Sequence, residues 1–259
     1  MFVKLKDQFR SRPLRAILAL GGLLSLIFLL FPQIDLWAAN LFYDGKGSFP
    51  MRVLDGPRLL RRIGILVPRL AILGLVLFLF ARLIWPKLNK HLSIKNALFL
   101  LGSAIIGPGI IVNLILKSHW GRARPAQTDL FGGEWPYSEV WVIAGNCQSN
   151  CSFVSGEGAM GFWFLGLALL VPVTHRVSAL WCLGWFGAII SVNRMAFGGH
   201  YLSDILLSWV ITAFVMVAFW KFLSNHPPHW LREERLEASW DRAADRVGAY
   251  CRKVAALFG

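Results

Sequence analysis

The chain is 259 residues long, 56% of them hydrophobic, with 12 tryptophans and a formal net charge of +13. A soluble domain carries about 45–50% apolar residues, whereas several runs here approach the ~20 residues that cross a bilayer core, so an ordinary soluble domain is excluded. The positive balance would suit nucleic acid, but no nucleic-acid motif or zinc-ligand spacing accompanies it; it reads as membrane topology and affinity for anionic head groups.

Residues 1–15 are a basic start, with Lys4, Lys6, Arg10, Arg12 and Arg15 ahead of an apolar run from Ala16 to Phe31. A signal peptide would look similar, but residues 32–40 offer no small-x-small cleavage site, so a retained first span is expected. Residues 33–62 form a connector in which Trp37, Phe42 and Tyr43 suit the membrane interface. A second span is expected over 63–85; its Arg69 is costly at mid-bilayer and should snorkel or face the bundle interior. A short basic loop, 86–95, leads to a third span over 96–116 with a Gly107-Pro108-Gly109 kink and a polar Asn113.

A long polar segment follows over 117–153, then spans over 155–173, 177–192 and 201–222. The expected fold is therefore all-α and polytopic: a bundle of six transmembrane helices over 16–223, with a tail over 224–259. In that tail Leu236, Trp240, Ala243, Val247, Cys251, Val254 and Phe258 recur at helical spacing, which predicts an amphipathic helix on the inner surface or against a partner. Lysine and arginine cluster at both termini, in the 86–95 loop and at His175-Arg176, which assigns both termini to the cytoplasm and residues 117–153 and 193–200 to the opposite side. Cys147 and Cys151 then lie where an oxidising compartment permits a disulfide, whereas a zinc site would lack nearby third and fourth ligands. Cys182 and Cys251 are expected to be free thiols. The sequence carries no signal for an oligomeric state.

Three polar clusters fall at that outer end. Lys117-Ser118-His119-Trp120-Gly121-Arg122-Ala123-Arg124-Pro125 places cations where the positive-inside bias disfavours them. Ser155-Gly156-Glu157-Gly158 opens the fourth span with small residues, whose free N–H groups suit a phosphate oxygen; an ordinary N-cap gives the same pattern. His200 begins the last span with Asp204 one turn on, where a carboxylate accepts from one imidazole nitrogen and leaves the other as a free lone pair. A capping histidine and a solvated acid at a membrane edge would look alike. Together the clusters supply positive charge for three phosphate oxygens, a nucleophile and a proton donor.

Lys117-x6-Arg124-Pro125, Ser155-Gly156 and Arg194-x5-His200-x3-Asp204 resemble the type 2 phosphatidic acid phosphatase (PAP2) superfamily, over roughly residues 60–222. The resemblance implies a membrane phosphatase that needs no metal and no cofactor. His200 would attack phosphorus to form a phosphohistidine, with Asp204 orienting its ring; Lys117, Arg124, Ser155, Gly156 and Arg194 would bind the phosphate. The chain departs from the pattern at Glu157, where the family has a histidine that protonates the leaving group, at Val154 for Pro, and at Asn193 for Ser. Either Glu157 or His119 would then be the acid. The Trp-Gly-Arg-Ala-Arg-Pro and Asn-Cys-Ser-Phe-Val-Ser-Gly-Glu runs are similar to the bacterial lipid A phosphatases, the 4′-phosphatases among them.

The implied setting is a bacterial inner membrane with the site facing the periplasm, and the implied partners are an anionic phospholipid or lipid A, not nucleic acid. Undecaprenyl diphosphate and phosphatidylglycerol phosphate are alternative substrates. A non-enzymatic anionic-lipid transporter would gather the same cations; the acid four residues after His200 argues against it, because anion binding gains nothing from a nearby negative charge. A scaffold acting through the tail is the third reading.

Overall fold

The computed structural model describes residues 12–85, 92–225 and 227–258. Lys4, Lys6, Arg10 and most of the 86–95 loop lie outside them, as do the side chains of Cys251 and Phe258. The described residues are helical, with no strand. In chain order they are α1 (Pro13–Leu30), α2 (Gln33–Asn40), α3 (Asp55–Ile84), α4 (Ile94–His119), α5 (Gly156–Leu170), α6 (Arg176–Ala196), α7 (Leu202–Ser224) and α8 (Glu233–Phe258).

Among the described residues five helices are long and apolar enough to cross a membrane: α1, α3, α4, α6 with the turn that precedes it, and α7. The expected fourth span is the shorter α5, eight α-helical residues continued by seven in a 3-10 helix. The steeper 3-10 rise stretches that element to about 26 Å, close to the ~30 Å of a hydrocarbon core. Its position explains its composition. Gly161 of α5 meets Gly187 of α6 so closely that a Cβ on Gly161 would sit 3.1 Å from the Gly187 Cα, an approach that only small residues allow between helices in lipid.

The Gly107-Pro108-Gly109 kink takes the form of a π-helical register over Ile105–Leu116. Pro108 has no N–H to give its own helix, and the side chain of Asn113 donates to the Pro108 carbonyl at 2.6 Å. Two of the four core clusters among the described residues are the largest. One packs Leu75, Phe99, Leu100, Trp163, Phe164 and Ile190, with the Trp163 indole N–H on the Leu100 carbonyl at 3.0 Å. The other packs Phe28, Val112, Phe153, Val154 and Leu207 beneath the polar segment that follows α4. That segment folds over the bundle end through Gly121 at φ +66°, where a Cβ would lie 2.8 Å from the Gly145 Cα.

Cys147 and Cys151 are bonded, with Cα atoms 5.6 Å apart, and Cys182 is free and exposed. Arg69 lines a cavity together with Lys117 and Glu157. The tail helix α8 lies against α3 and α4 of the same chain. Glu237 accepts from Arg82 at 2.7 Å and from the Ile94 N–H at 2.8 Å, and the Trp240 indole donates to the Leu79 carbonyl at 3.2 Å.

Candidate active site

Folding the polar segment over the bundle brings the three clusters to one end. His200, in the turn between α6 and α7, is 1% exposed. Its Nδ1 lies 2.8 Å from the Ser152 carbonyl. A carbonyl only accepts, so Nδ1 carries the proton and Nε2 keeps its lone pair. Burial, reinforced by Lys117 and Arg194, pushes the imidazole pKa down to about 3 against the opposing pull of Asp204. The ring is therefore neutral near pH 7.

Asp204 stands one shell further out than the i,i+4 spacing suggested: its Oδ2 is 3.8 Å from Nδ1, too far for a hydrogen bond. That oxygen instead accepts from the Ser152 hydroxyl at 2.5 Å and from the Tyr201 N–H at 2.9 Å. Asp204 thus fixes both the residue whose carbonyl holds the ring and the residue after the histidine. Its backbone carbonyl also accepts from the Ser155 N–H at 3.1 Å, which ties the second cluster to the third.

Behind Asp204 lies a buried network that spacing did not reveal. Arg122 donates to Asp204 Oδ1 at 2.7 Å, to Asp35 Oδ2 and the Ser203 hydroxyl at 2.9 Å, and to the Ser138 carbonyl at 2.9 Å. Its guanidinium also lies 4.3 Å from the Tyr201 ring centroid. Burial alone would depress the Arg122 pKa, but the Asp204 and Asp35 carboxylates outweigh it and raise it. The Asp35 carboxyl is raised by burial, with Arg122 opposing. Arg122 is therefore a buried structural cation, while Asp35, from the connector, is a site-building residue missed in the sequence. The available signal was an isolated acid just after the first apolar run.

The other cations are arranged differently. Lys117 donates to Asn150 Oδ1 at 3.2 Å and Arg124 to the Asn150 carbonyl at 2.7 Å, so the disulfide-closed turn holds both. Burial, then the nearby Arg61, lowers the Arg124 pKa. Arg194 Nε lies 3.0 Å from Glu157 Oε1, and Arg61 Nε lies 3.7 Å from the same oxygen. Neither Nε has an aligned acceptor, and Glu157 Oε2 is buried without a hydrogen-bond partner. A single carboxylate thus sits loosely among cations that would fit a tetrahedral oxyanion better. Arg61, on α3, is the second residue that the sequence reading missed.

Ser155 caps α5, its hydroxyl accepting from the Gly158 N–H at 3.1 Å. Gly156 follows with no room for a side chain, since a Cβ would lie 2.6 Å from Asn113 Oδ1. Lys117, Gly156 and Glu157 line a cavity of about 280 Å³ that continues along Ile65, Pro68 and Ile72 of α3. Apolar walls below a charged end suit a lipid with a phosphorylated head. His119 is exposed, its Nδ1 bonded to the Ile115 carbonyl of its own helix at 2.8 Å; the lining of this cavity includes neither His119 nor His200, Arg124 or Arg194.

Residues 96–228 match the PAP2 superfamily. The chain belongs to that superfamily. It is 36% identical over 213 residues to a lipid A 4′-phosphatase of Rhizobium leguminosarum, covering 74% of this chain and 88% of the relative. A lipid A 4′-phosphatase of Rhizobium etli is 36% identical over 207 residues, 74% of this chain and 80% of the relative. A third, from Francisella tularensis subsp. novicida, is 31% identical over 198 residues, 75% of this chain and 87% of the relative. No solved structure matches significantly. This PAP2 protein is a multi-pass membrane phosphatase that acts on a lipid phosphate.

Proposed function

We propose that this PAP2 protein removes a phosphate monoester from lipid A at the periplasmic face of a bacterial inner membrane, through a phosphohistidine at His200. The observation that carries the reading is the state of His200: buried and neutral, with Nδ1–H tied to the Ser152 carbonyl so that Nε2 keeps its lone pair, and with Lys117 and Arg194 helping burial to lower its pKa. The names of the relatives favour lipid A, and the 4′ position, over phosphatidylglycerol phosphate or undecaprenyl diphosphate. Residues 16–223 are the six-crossing phosphatase unit, with α5 as the short crossing, and residues 1–15 and 224–259 are cytoplasmic.

In this mechanism the substrate phosphate displaces the Glu157 carboxylate from Arg194 and takes its place among Arg194, Arg124, Lys117 and the first-turn amides at Gly156. The Nε2 lone pair attacks phosphorus, a P–N bond forms, and the P–O bond to the lipid breaks. Its alkoxide leaves with a proton from Glu157, which the displaced carboxylate takes up from solvent as the substrate binds. Water then attacks the phosphohistidine, gives its proton to Glu157 and releases inorganic phosphate. Glu157 is favoured over His119 as the acid because it already contacts Arg194, whereas His119 bonds its own helix.

The test is phosphate release from lipid A by the purified protein, with and without His200→Ala. Turnover should vanish in the variant, and rapid quenching of the wild type should trap an acid-labile, base-stable phosphoryl group on His200. Near-normal release by His200→Ala would exclude the mechanism. Lipid binding without turnover in the wild type would favour the transporter reading.

A further inference from the structure

Next to the reaction cavity lies a second cleft, of about 570 Å³, lined by Arg52, Arg58, Arg61, Arg62, Ile65 and Phe197. Arg58, Arg61, Arg62 and Ile65 share one face of α3 at three- and four-residue spacing, and Arg52 joins them from the short turn before that helix. Among the described residues no acidic residue lines the cleft. Among the described residues Arg52, Arg58 and Arg62 have no ion-pair partner, and Arg61 has only the long contact to Glu157.

Membrane topology does not account for these charges. They stand at the His200 end of the bundle, where the proposed orientation would disfavour arginine. They also precede residues 96–228, the stretch that matches the superfamily. Burial, and then the nearby Arg61, lowers the Arg52 pKa.

Two features join the cleft to the cavity. Ile65 lines both, and Arg61 reaches Glu157 from the cleft side. Arg61 and Arg194 also flank the Phe197 ring, at 5.8 and 5.9 Å from its centroid. An anion in the cleft would therefore sit within one side chain of the phosphate being cleaved. Several guanidinium forks in one place favour a planar or tetrahedral oxyanion held by two or more hydrogen bonds, which a lone ammonium does less well.

We propose that the Arg52–Arg58–Arg61–Arg62 cleft binds a second oxyanion, a phosphate or carboxylate, of the same lipid headgroup, and so selects multiply anionic substrates. The proposal rests on reading the adjacent cavity as the lipid-phosphate site. The experiment compares phosphatidic acid, with one phosphate, against phosphatidylglycerol phosphate and bisphosphorylated lipid A, with two, all in neutral detergent micelles. Arg58→Gln combined with Arg62→Gln should lower kcat/KM for the two-phosphate lipids about tenfold more than for phosphatidic acid, mainly through KM. Arg58→Lys combined with Arg62→Lys should recover part of that loss, since charge remains while the forks are gone.

Equal losses on all three lipids, or no loss, would overturn the assignment. A phosphatidic acid rate that responds to millimolar inorganic phosphate only while Arg58 and Arg62 are intact would make free phosphate the occupant, and the headgroup assignment would fall. If the wild type cleaves none of the lipids, the proposed reaction fails instead; the same comparison then reads the cleft through lipid binding to the full-length His200→Ala protein.

Discussion

Arg122 and Arg194 are both buried guanidinium groups, at 0% and 3% exposure, yet their surroundings are opposite. Arg122 meets two carboxylates, a hydroxyl, a carbonyl and two tyrosine rings. Arg194 meets one carboxylate, shared with Arg61, and its Nε has no aligned acceptor. A fully partnered buried charge has no capacity left for a ligand; it fixes geometry. An under-partnered one costs stability in the empty state and recovers it when an anion arrives. Under the proposed reaction, the first arginine builds the site and the second works in it.

The sharpest way to break this contrast is to truncate each arginine and read activity and stability separately. Arg194→Ala should reduce kcat/KM about a thousandfold, because a cation facing developing charge is removed, while thermal unfolding in detergent changes little. Lys117→Ala should behave alike. Arg122→Ala should instead destabilise the fold by roughly 3–5 kcal/mol, since Asp35 and Asp204 are left as uncompensated buried carboxylates. Arg122→Lys should rescue it poorly, an ammonium being unable to span both acids. If Arg194→Ala unfolds the protein and Arg122→Ala leaves it stable, the assignment of roles is reversed.

Glu157 tests the same contrast one step down in size. Glu157→Gln keeps the shape but cannot donate the proton, so turnover of a lipid phosphate should fall about a hundredfold. With p-nitrophenyl phosphate, whose leaving group needs little protonation, the loss should shrink to a few-fold. His119→Ala should leave both substrates near wild type. A larger effect at His119 than at Glu157 would transfer the acid role.

The depressed pKa of His200 gives a prediction on pH. Its folded value of about 3 lies below the ordinary 6.5, so between these the unfolded chain binds a proton that the folded chain does not. His200 therefore contributes stability above pH 6.5 that is lost progressively as pH falls toward 3. In the unliganded protein, nitrogen NMR at pH 5 should still show a neutral ring protonated at Nδ1. A protonated ring at that pH would mean that Ser152 and burial do not control the histidine.

The helices and the gathering of the three motifs were legible because hydropathy and spacing are local. Gly107-Pro108-Gly109 announced a kink, and the π register, with Asn113 donating to the Pro108 carbonyl, is its form. What was hidden depends on partners distant in sequence. The 63–85 span begins eight residues earlier, at Asp55, because hydropathy finds the apolar centre of a helix and misses the arginine-rich turns that face a polar cleft. The i,i+4 spacing of His200 and Asp204 suggested a direct bond; the bond goes to a backbone carbonyl 48 residues away. Backbone acceptors in irregular loops leave no mark in side-chain patterns. Nor could spacing pair Arg122 with Asp35, 87 residues earlier.

The tail supplies the smallest expected effect on turnover. Helix α8 is amphipathic, as its spacing indicated, and its polar side carries specific contacts to its own chain: Glu237 bridges Arg82 of α3 and the first N–H of α4, with Asp241 3.6 Å from the same arginine and Glu233 3.7 Å from Lys95. Arg82 is 4% exposed, so Glu237→Ala leaves a nearly buried cation with only the distant Asp241 and takes the acceptor from the Ile94 N–H, while Ser93 still caps α4. A loss of about 1–3 kcal/mol is expected from that combination. All of it falls at the end of α3 opposite Arg61 and Glu157, 21 residues or ~30 Å along the helix from the reaction cavity. Glu237→Ala should accordingly lower the unfolding temperature yet leave kcat and KM within about twofold of wild type, far below the effects of the active-site arginines. A large change in kcat at unchanged stability would show that α8 is coupled to the site through α3.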